Sequence, residues 1–118
     1  MKKTRQLLKV LQEQLDICND YLELQNKKTS SLVAGDIKLL DAIVRQDQSF
    51  VMRMESLESK RNGLLTEMEL SDVTISEVIA HHVEDAYKER YKQVFEGLSD
   101  VLYKLKKVND LNQRLLKQ

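Results

Sequence analysis

The chain has 118 residues, enough for one modest domain, and its 19 basic side chains balance 19 acidic ones to a net charge of zero. This balance argues against a general nucleic-acid binder, which needs a basic excess to displace counterions from the phosphate backbone. The absence of proline, the low glycine content and the lack of clustered strand formers favour an all-helical protein. No apolar run is long enough to predict a membrane-spanning helix or a signal peptide.

A turn at Gly35 and Asp36 divides the first half of the chain. Glycine adopts the left-handed conformation that ends a helix without strain, and aspartate accepts the free N–H groups at the start of the next one. These signals predict one helix over about Thr4–Val33 and a second over about Ile37–Met68. Because the turn is short, the two helices should run antiparallel, side by side.

Both helices of this hairpin carry apolar residues at alternating spacings of three and four, which is typical of a coiled-coil seam. Folding the chain at the turn sets apolar positions opposite apolar positions, and it places polar Gln25 beside polar Asp47. Two interpretations of Gln25 and Thr29 are open at this point. They loosen the packing near the turn, which is the interpretation that we favour from the sequence, or they fix the register of the helices, as single polar seam residues can.

Residues 70–83 interrupt the seam. Thr74 followed by Glu77 has the spacing of a capping box, which predicts that a new helix starts at Ile75. This segment is either a short helix over Ile75–Val83 or the first turns of one long helix. The final helix is then predicted over about Glu84–Lys117.

The final helix has an apolar stripe along one side and is rich in lysine towards its end. Basic residues near a helix C-terminus interact favourably with its dipole. We interpret these lysines as a solvated face, since mixed-charge helix surfaces are ordinary. The apolar stripe still runs where the sequence ends, and it is the surface that an amphipathic helix of a partner could cover.

Together these elements predict an all-α fold, namely an elongated antiparallel three-helix coiled-coil bundle with a short extra helix between helices two and three. We expect a single domain over residues 1–118. It comprises a hairpin over 4–69, a connector with the short helix over 70–83 and a long C-terminal helix over 84–117.

The sequence offers little for catalysis or for a metal. The two histidines, His81 and His82, have only Glu77, Glu84 and Asp85 near them, and no other helix supplies a matching Glu-x-x-His. The single cysteine, Cys18, falls on the apolar seam, where a thiol behaves as a small hydrophobe. Phosphate-binding loops and nucleophile elbows are absent from the sequence. We therefore expect no cofactor, no metal and no enzymatic activity, and the pattern points to a helical binding module.

Two short motifs stand out in the sequence. The first is a Leu-x-x-Gly-Asp turn followed by a Glu-x-x-Arg-x-x-Leu helix, and the second is Asn-x-x-Asn-x-x-Leu-Leu. The first motif is held here by Leu32, Gly35, Asp36, Glu58, Arg61 and Leu64, and the second by Asn109, Asn112, Leu115 and Leu116. In their composition, order and separation, the two motifs resemble those of the FlgN family of flagellar type III export chaperones.

The resemblance implies a cytoplasmic chaperone that holds the C-terminal helical segments of hook-associated (hook-filament junction) proteins and delivers them to the flagellar export gate. It also implies that the client is captured by the C-terminal helix. On this chain we expect the partner-binding residues to be Leu105, Val108, Leu111, Asn112, Leu115 and Leu116. Family members continue past the Leu-Leu pair, so the resemblance further implies that part of the capture arm is missing here.

Two other functions remain open. One is the related type of chaperone that binds the flagellar cap protein. Such a chaperone is also helical and begins with a similar hairpin, although the Asn-x-x-Asn-x-x-Leu-Leu match argues against it. The other is a structural coiled-coil adaptor that forms a homodimer through the C-terminal helix. Neither alternative involves nucleic acid or insertion into a membrane.

Overall fold

The computed structural model describes residues 2–118, and of Lys2 it describes the backbone alone. It contains four helices, α1 (Lys2–Ala34), α2 (Ile37–Glu67), α3 (Ile75–His81) and α4 (Asp85–Leu116). Residues 2–118 contain no β-strand. The molecule is elongated, 51 × 22 × 21 Å. The prediction of an elongated all-helical protein is therefore confirmed.

The turn between α1 and α2 is built as its sequence predicts. Gly35 has a φ of 68°, and the N–H of Asp36 donates to the carbonyl of Ser31 at 2.9 Å, which closes the end of α1. The carboxylate of Asp36 then accepts the N–H of Leu39 at 3.1 Å and caps the start of α2. Thr74 caps α3 in the same way, since its hydroxyl accepts the N–H of Glu77 at 3.2 Å.

The end of α2 uses the same turn chemistry without glycine. Glu69 has a φ of 60°, its N–H donates to the carbonyl of Thr66, and the N–H of Leu70 donates to the carbonyl of Leu65 at 2.8 Å. This is the Schellman pattern, and the buried side chains of Leu65 and Leu70 belong to the same apolar cluster. The chain therefore turns after α2. Because α3 ends at His81 and α4 begins at Asp85, α3 is a separate short helix and not the beginning of α4.

Helix α1 is the central element, with α2 on one side and α4 on the other. Tyr91, near the start of α4, donates its hydroxyl proton to the carbonyl of Thr4, and Asn112, near the end of α4, contacts Gln25. Helices α1 and α4 therefore run parallel. Within residues 2–118, no Cα atom of α2 comes within 8 Å of a Cα atom of α4, so both helices pack on α1 and their backbones stay apart from each other.

The apolar core has two parts. The connector core, where α3 closes one end of the molecule, consists of Leu7, Leu8, Leu11, Leu65, Leu70, Val78, Ile79, Val83, Tyr91 and Val94. The middle core consists of Ile17, Cys18, Leu57 and Val101. A close approach of α4 to α1 is allowed by Gly97, because a Cβ atom there would lie only 3.0 Å from a methyl carbon of Leu15.

Candidate partner-binding surface

The C-terminal half of α4 packs on α1 with one face and presents apolar side chains to solvent on both flanks of that face. Of the six residues predicted to bind a partner, Leu111 is 38% exposed and Leu116 is 55% exposed. Leu105, Val108 and Leu115 are half-buried. The exposed leucines therefore lie on the rim of the interface between α4 and α1, and the half-buried residues lie at its edge.

Asn112 differs from the other five residues because it is 2% exposed and faces α1. Its side-chain N–H donates to the carbonyl of Gln25 at 3.2 Å, and its side-chain oxygen lies 2.6 Å from the hydroxyl of Thr29. The Thr29 hydroxyl has one proton and also lies 3.1 Å from the Gln25 carbonyl, so it donates to one acceptor at a time. Asn112 thus holds α4 at a defined rotation on α1.

A second set of polar contacts joins α1 to α2 at the same level. The amide of Gln25 donates to Asp47 at 2.6 Å, and the ammonium of Lys28 pairs with the other Asp47 oxygen at 3.1 Å. The pKa of Tyr21 is raised by burial and then by the negative charge of nearby Asp47. The predicted meeting of Gln25 with Asp47 is confirmed.

We call Tyr21, Gln25, Lys28, Thr29, Asp47 and Asn112 the polar layer. The layer crosses all three long helices. Because its buried groups are hydrogen-bonded, it favours the register interpretation of Gln25 and Thr29 over loosened packing. The polar layer therefore fixes the rotation of α4 about its own axis relative to α1, and with it the positions of the exposed leucines of α4.

A groove of about 370 Å³ lies between α2 and α4, with α1 as its floor. Most of its lining is apolar, and we call it the α2–α4 groove. It is lined by Leu11, Gln14, Ile17, Cys18, Met54, Glu58, Arg61, Ile75, Phe95, Leu98, Ser99 and Leu102. Sequence reasoning missed this feature, because seam periodicity shows which residues are apolar but not that α2 and α4 stay apart.

The lysine-rich side of α4 carries ordinary surface interactions. Lys104 pairs with Asp100 at 3.0 Å, with both side chains more than half exposed, and the ammonium of Lys107 lies 4.6 Å from the ring centre of Tyr103. Exposed pairs of this kind contribute about 0.2–1 kcal/mol each. These contacts agree with the interpretation of a solvated face.

Groups suited to catalysis or metal binding do not converge within residues 2–118. No set of three or more His, Cys, Asp or Glu side chains is placed to hold a metal ion there. His81 and His82 are exposed at the end of α3. Burial raises the pKa of the Cys18 thiol, which disfavours the thiolate that a nucleophile needs. None of the helices described is long and apolar enough to cross a membrane.

The comparison with protein-family models identifies one family. The family model described as FlgN protein matches residues 1–118, the whole chain. The chain is also similar to an uncharacterized protein, YvyG, of Bacillus subtilis (strain 168), with 36% identity over 98 residues. That alignment covers 80% of this chain and 59% of the relative, so the chain spans less than two thirds of the relative's length. No solved structure matches the chain.

Proposed function

Because the chain belongs to the FlgN family of flagellar export chaperones, we propose that it holds hook-associated proteins before their export. Members of this family are chaperones and not enzymes, and they bind flagellar export substrates. The finer proposal is that the client is the C-terminal helical segment of a hook-filament junction protein. The chaperone would capture it in the cytoplasm and deliver it to the flagellar export gate.

The observation that carries this proposal is the family match over the whole chain. The geometry of α4 supports its C-terminal half as the surface that binds the client. Leu111 and Leu116 offer exposed apolar area, and Leu105, Val108 and Leu115 lie beside them. Asn112 belongs to the proposed set as a positioning residue, since it faces α1.

The proposed mechanism is physical. An amphipathic client helix covers the exposed leucines of α4, and each side chain removed from water contributes about 1.5–3 kcal/mol before ordering costs. The α1–α2–α4 assembly acts as an elongated antiparallel three-helix bundle that keeps α4 straight and at a fixed rotation. Release requires no chemical step, because the contacts are apolar and reversible.

The test is a titration with the purified C-terminal segment of a hook-associated protein. The double variant Leu111→Glu, Leu116→Glu should weaken binding about 10–100-fold, because covering the exposed parts of these two leucines, 38% and 55%, contributes about 1.5–3 kcal/mol in total. Met52→Glu is the matched control, because Met52 is 70% exposed on α2 and should leave the dissociation constant unchanged. Equal binding by the double variant and the control would contradict the proposed site.

The same titration separates the alternatives. If the chain prefers the C-terminal segment of the flagellar cap protein, its client is the cap protein and not a hook-associated protein. A mass that rises with concentration in light scattering, with no binding of either segment, would favour the homodimeric adaptor.

A further inference from the structure

We infer that a furrow between α1 and α4 takes an amphipathic helix whose apolar stripe is bordered along one edge by Asp or Glu side chains. The inference rests on the proposed function, because Val108 and Leu111 belong to the surface proposed for the client. It goes beyond that function in two respects. It assigns the client helix to one flank of α4, and it specifies the charge that the helix must carry there.

The α1–α4 furrow is an open depression of about 450 Å³, to which α2 contributes no lining residue within residues 2–118. On α1 it is bordered by Leu22 and by three uncharged polar side chains. On α4 it is bordered by Lys104, Lys107, Val108 and Leu111. Most of its lining is apolar, so its floor suits the apolar stripe of a helix, and the two lysines stand along one rim.

Charge distinguishes this furrow from the other depressions on the molecule. Lys104 and Lys107 line it, and within residues 2–118 no carboxylate does. Four other depressions are each lined by side chains of both signs, among them the α2–α4 groove with Glu58 and Arg61. Opposite charges partly offset each other on those surfaces. The α1–α4 furrow instead attracts carboxylates and repels ammonium groups, which selects the partner by its charge.

Both ammonium groups are available to a partner. Lys104 pairs with Asp100 at 3.0 Å, but an ammonium has three donors and this side chain is 57% exposed, so it can hold a second carboxylate. The ammonium of Lys107 lies over the ring of Tyr103, and none of the ion pairs within residues 2–118 involves Lys107. The two lysines are three positions apart, about 4.5 Å along the helix axis. Two carboxylates spaced by three or four residues on a partner helix would therefore face both.

Apolar contacts supply the other part of the binding surface. Leu111 is 38% exposed at the rim, and Leu22 and Val108 are half-buried at the floor. Val33 lies on the same face of α1 as Asn26, seven residues further on, and is 73% exposed. Apolar surface therefore continues beyond the furrow towards the end of α1. A partner helix can lie along this flank with its leucines over the floor and its acidic edge over the lysines.

The experiment uses the full chain and synthetic amphipathic helices that share one leucine stripe and carry Glu, Gln or Lys along one edge. At low salt the Glu-edged helix should bind about tenfold more tightly than the Lys-edged helix, and high salt should shrink the difference. The double variant Lys104→Gln, Lys107→Gln should abolish this preference. Lys106→Gln, Lys117→Gln is the matched control, because it removes the same charge from two exposed positions that do not line the furrow. The control should keep the preference.

Two further comparisons test the charge and the flank. Lys104→Glu with Lys107→Glu should invert the preference, so that the Lys-edged helix binds more tightly, which a loss of structure cannot produce. Leu111→Gln should weaken binding of the Glu-edged helix about fivefold. Leu102→Gln should change it less than twofold, because Leu102 is 54% exposed but lines the α2–α4 groove. Thermal melts should be alike for these variants, since all four positions are exposed.

The C-terminal segment of a hook-associated protein separates this inference from the proposed function. Its affinity should fall about fivefold in Lys104→Gln, Lys107→Gln, and changing its own acidic edge to Gln should cause the same loss. If the segment binds this variant and the wild-type chain equally, the inference is overturned and the proposed function stands. If the Glu-edged helix binds through the lysines but the segment does not bind, the proposed function is overturned and the charge preference of the furrow stands.

Two other outcomes would overturn the inference. One is equal binding of the Glu-edged and Lys-edged helices at low salt. The other is lysine-dependent binding to vesicles that contain phosphatidylserine, with no binding of either helix, which would make the furrow a surface for anionic lipid.

Discussion

Replacing Asp47 by alanine should destabilise the fold more than any exposed substitution on α2, because Asp47 is the shared acceptor of the polar layer. Its carboxylate accepts from Gln25 at 2.6 Å and from Lys28 at 3.1 Å. Gln25 is 2% exposed, so its amide would be left buried without its partner.

The expected magnitude follows from these burials. An unsatisfied buried amide costs about 1–3 kcal/mol. The Lys28 pair adds less, about 0.2–1 kcal/mol, because its side chains retain access to water. Alanine favours the helix over aspartate by about 0.7 kcal/mol, so the net loss is about 0.5–3 kcal/mol. At about 2.1 cal/mol/K per residue, a loss of about 2 kcal/mol lowers the midpoint of thermal unfolding by about 8 °C.

The assay is urea unfolding followed by circular dichroism, with the slope of the free energy against urea unchanged between variants. Asp47→Asn retains an acceptor for Gln25 and should lose half of this energy or less. It also removes the negative charge beside Tyr21, so the pKa of Tyr21 should fall towards its ordinary value in an absorbance titration. Asp41→Ala is the control, since Asp41 is exposed on the same helix. A loss below about 0.5 kcal/mol for Asp47→Ala would refute the claim that the polar layer is buried and coupled.

Two further predictions concern other parts of the chain. Glu69→Gly should raise the free energy of unfolding by about 1 kcal/mol. The reason is that Glu69 has a φ of 60°, which costs a non-glycine residue about 1–2 kcal/mol. An unchanged midpoint of urea unfolding would contradict this prediction. Burial raises the pKa of Tyr91 to about 12, above its unfolded value of about 10, so the folded state retains a proton that the unfolded state loses. Stability is then complete below about pH 10 and should fall by about 2–3 kcal/mol as the pH rises to about 12. Tyr91→Phe removes this titration and should flatten the slope, and an equal slope in the two proteins would show that other groups cause it.

The sequence by itself determined the local features of this protein. The end of α1 at Gly35, the cap at Asp36 and the cap at Thr74 follow from interactions among residues a few positions apart, and these contacts are present in the structure. The antiparallel hairpin followed from the short turn, and with it the pairing of Gln25 with Asp47. The turn at Glu69 was not predicted, because glutamate gives no sequence signal for the left-handed conformation that it adopts there. That conformation is supported by the buried side chains of Leu65 and Leu70, which belong to one apolar cluster.

Only the tertiary structure decided which face of the third long helix, α4, packs on α1. Asn112 and Leu111 are neighbours in an amphipathic pattern, yet one faces α1 and the other faces solvent. Which side of α4 is covered depends on contacts with Gln25 and Thr29, more than eighty residues away in the chain. The α2–α4 groove arises in the same way, since it is the space left when two helices both pack on α1. A helical pattern specifies the apolar area to be buried, but the non-local packing specifies which part of it stays open for a partner.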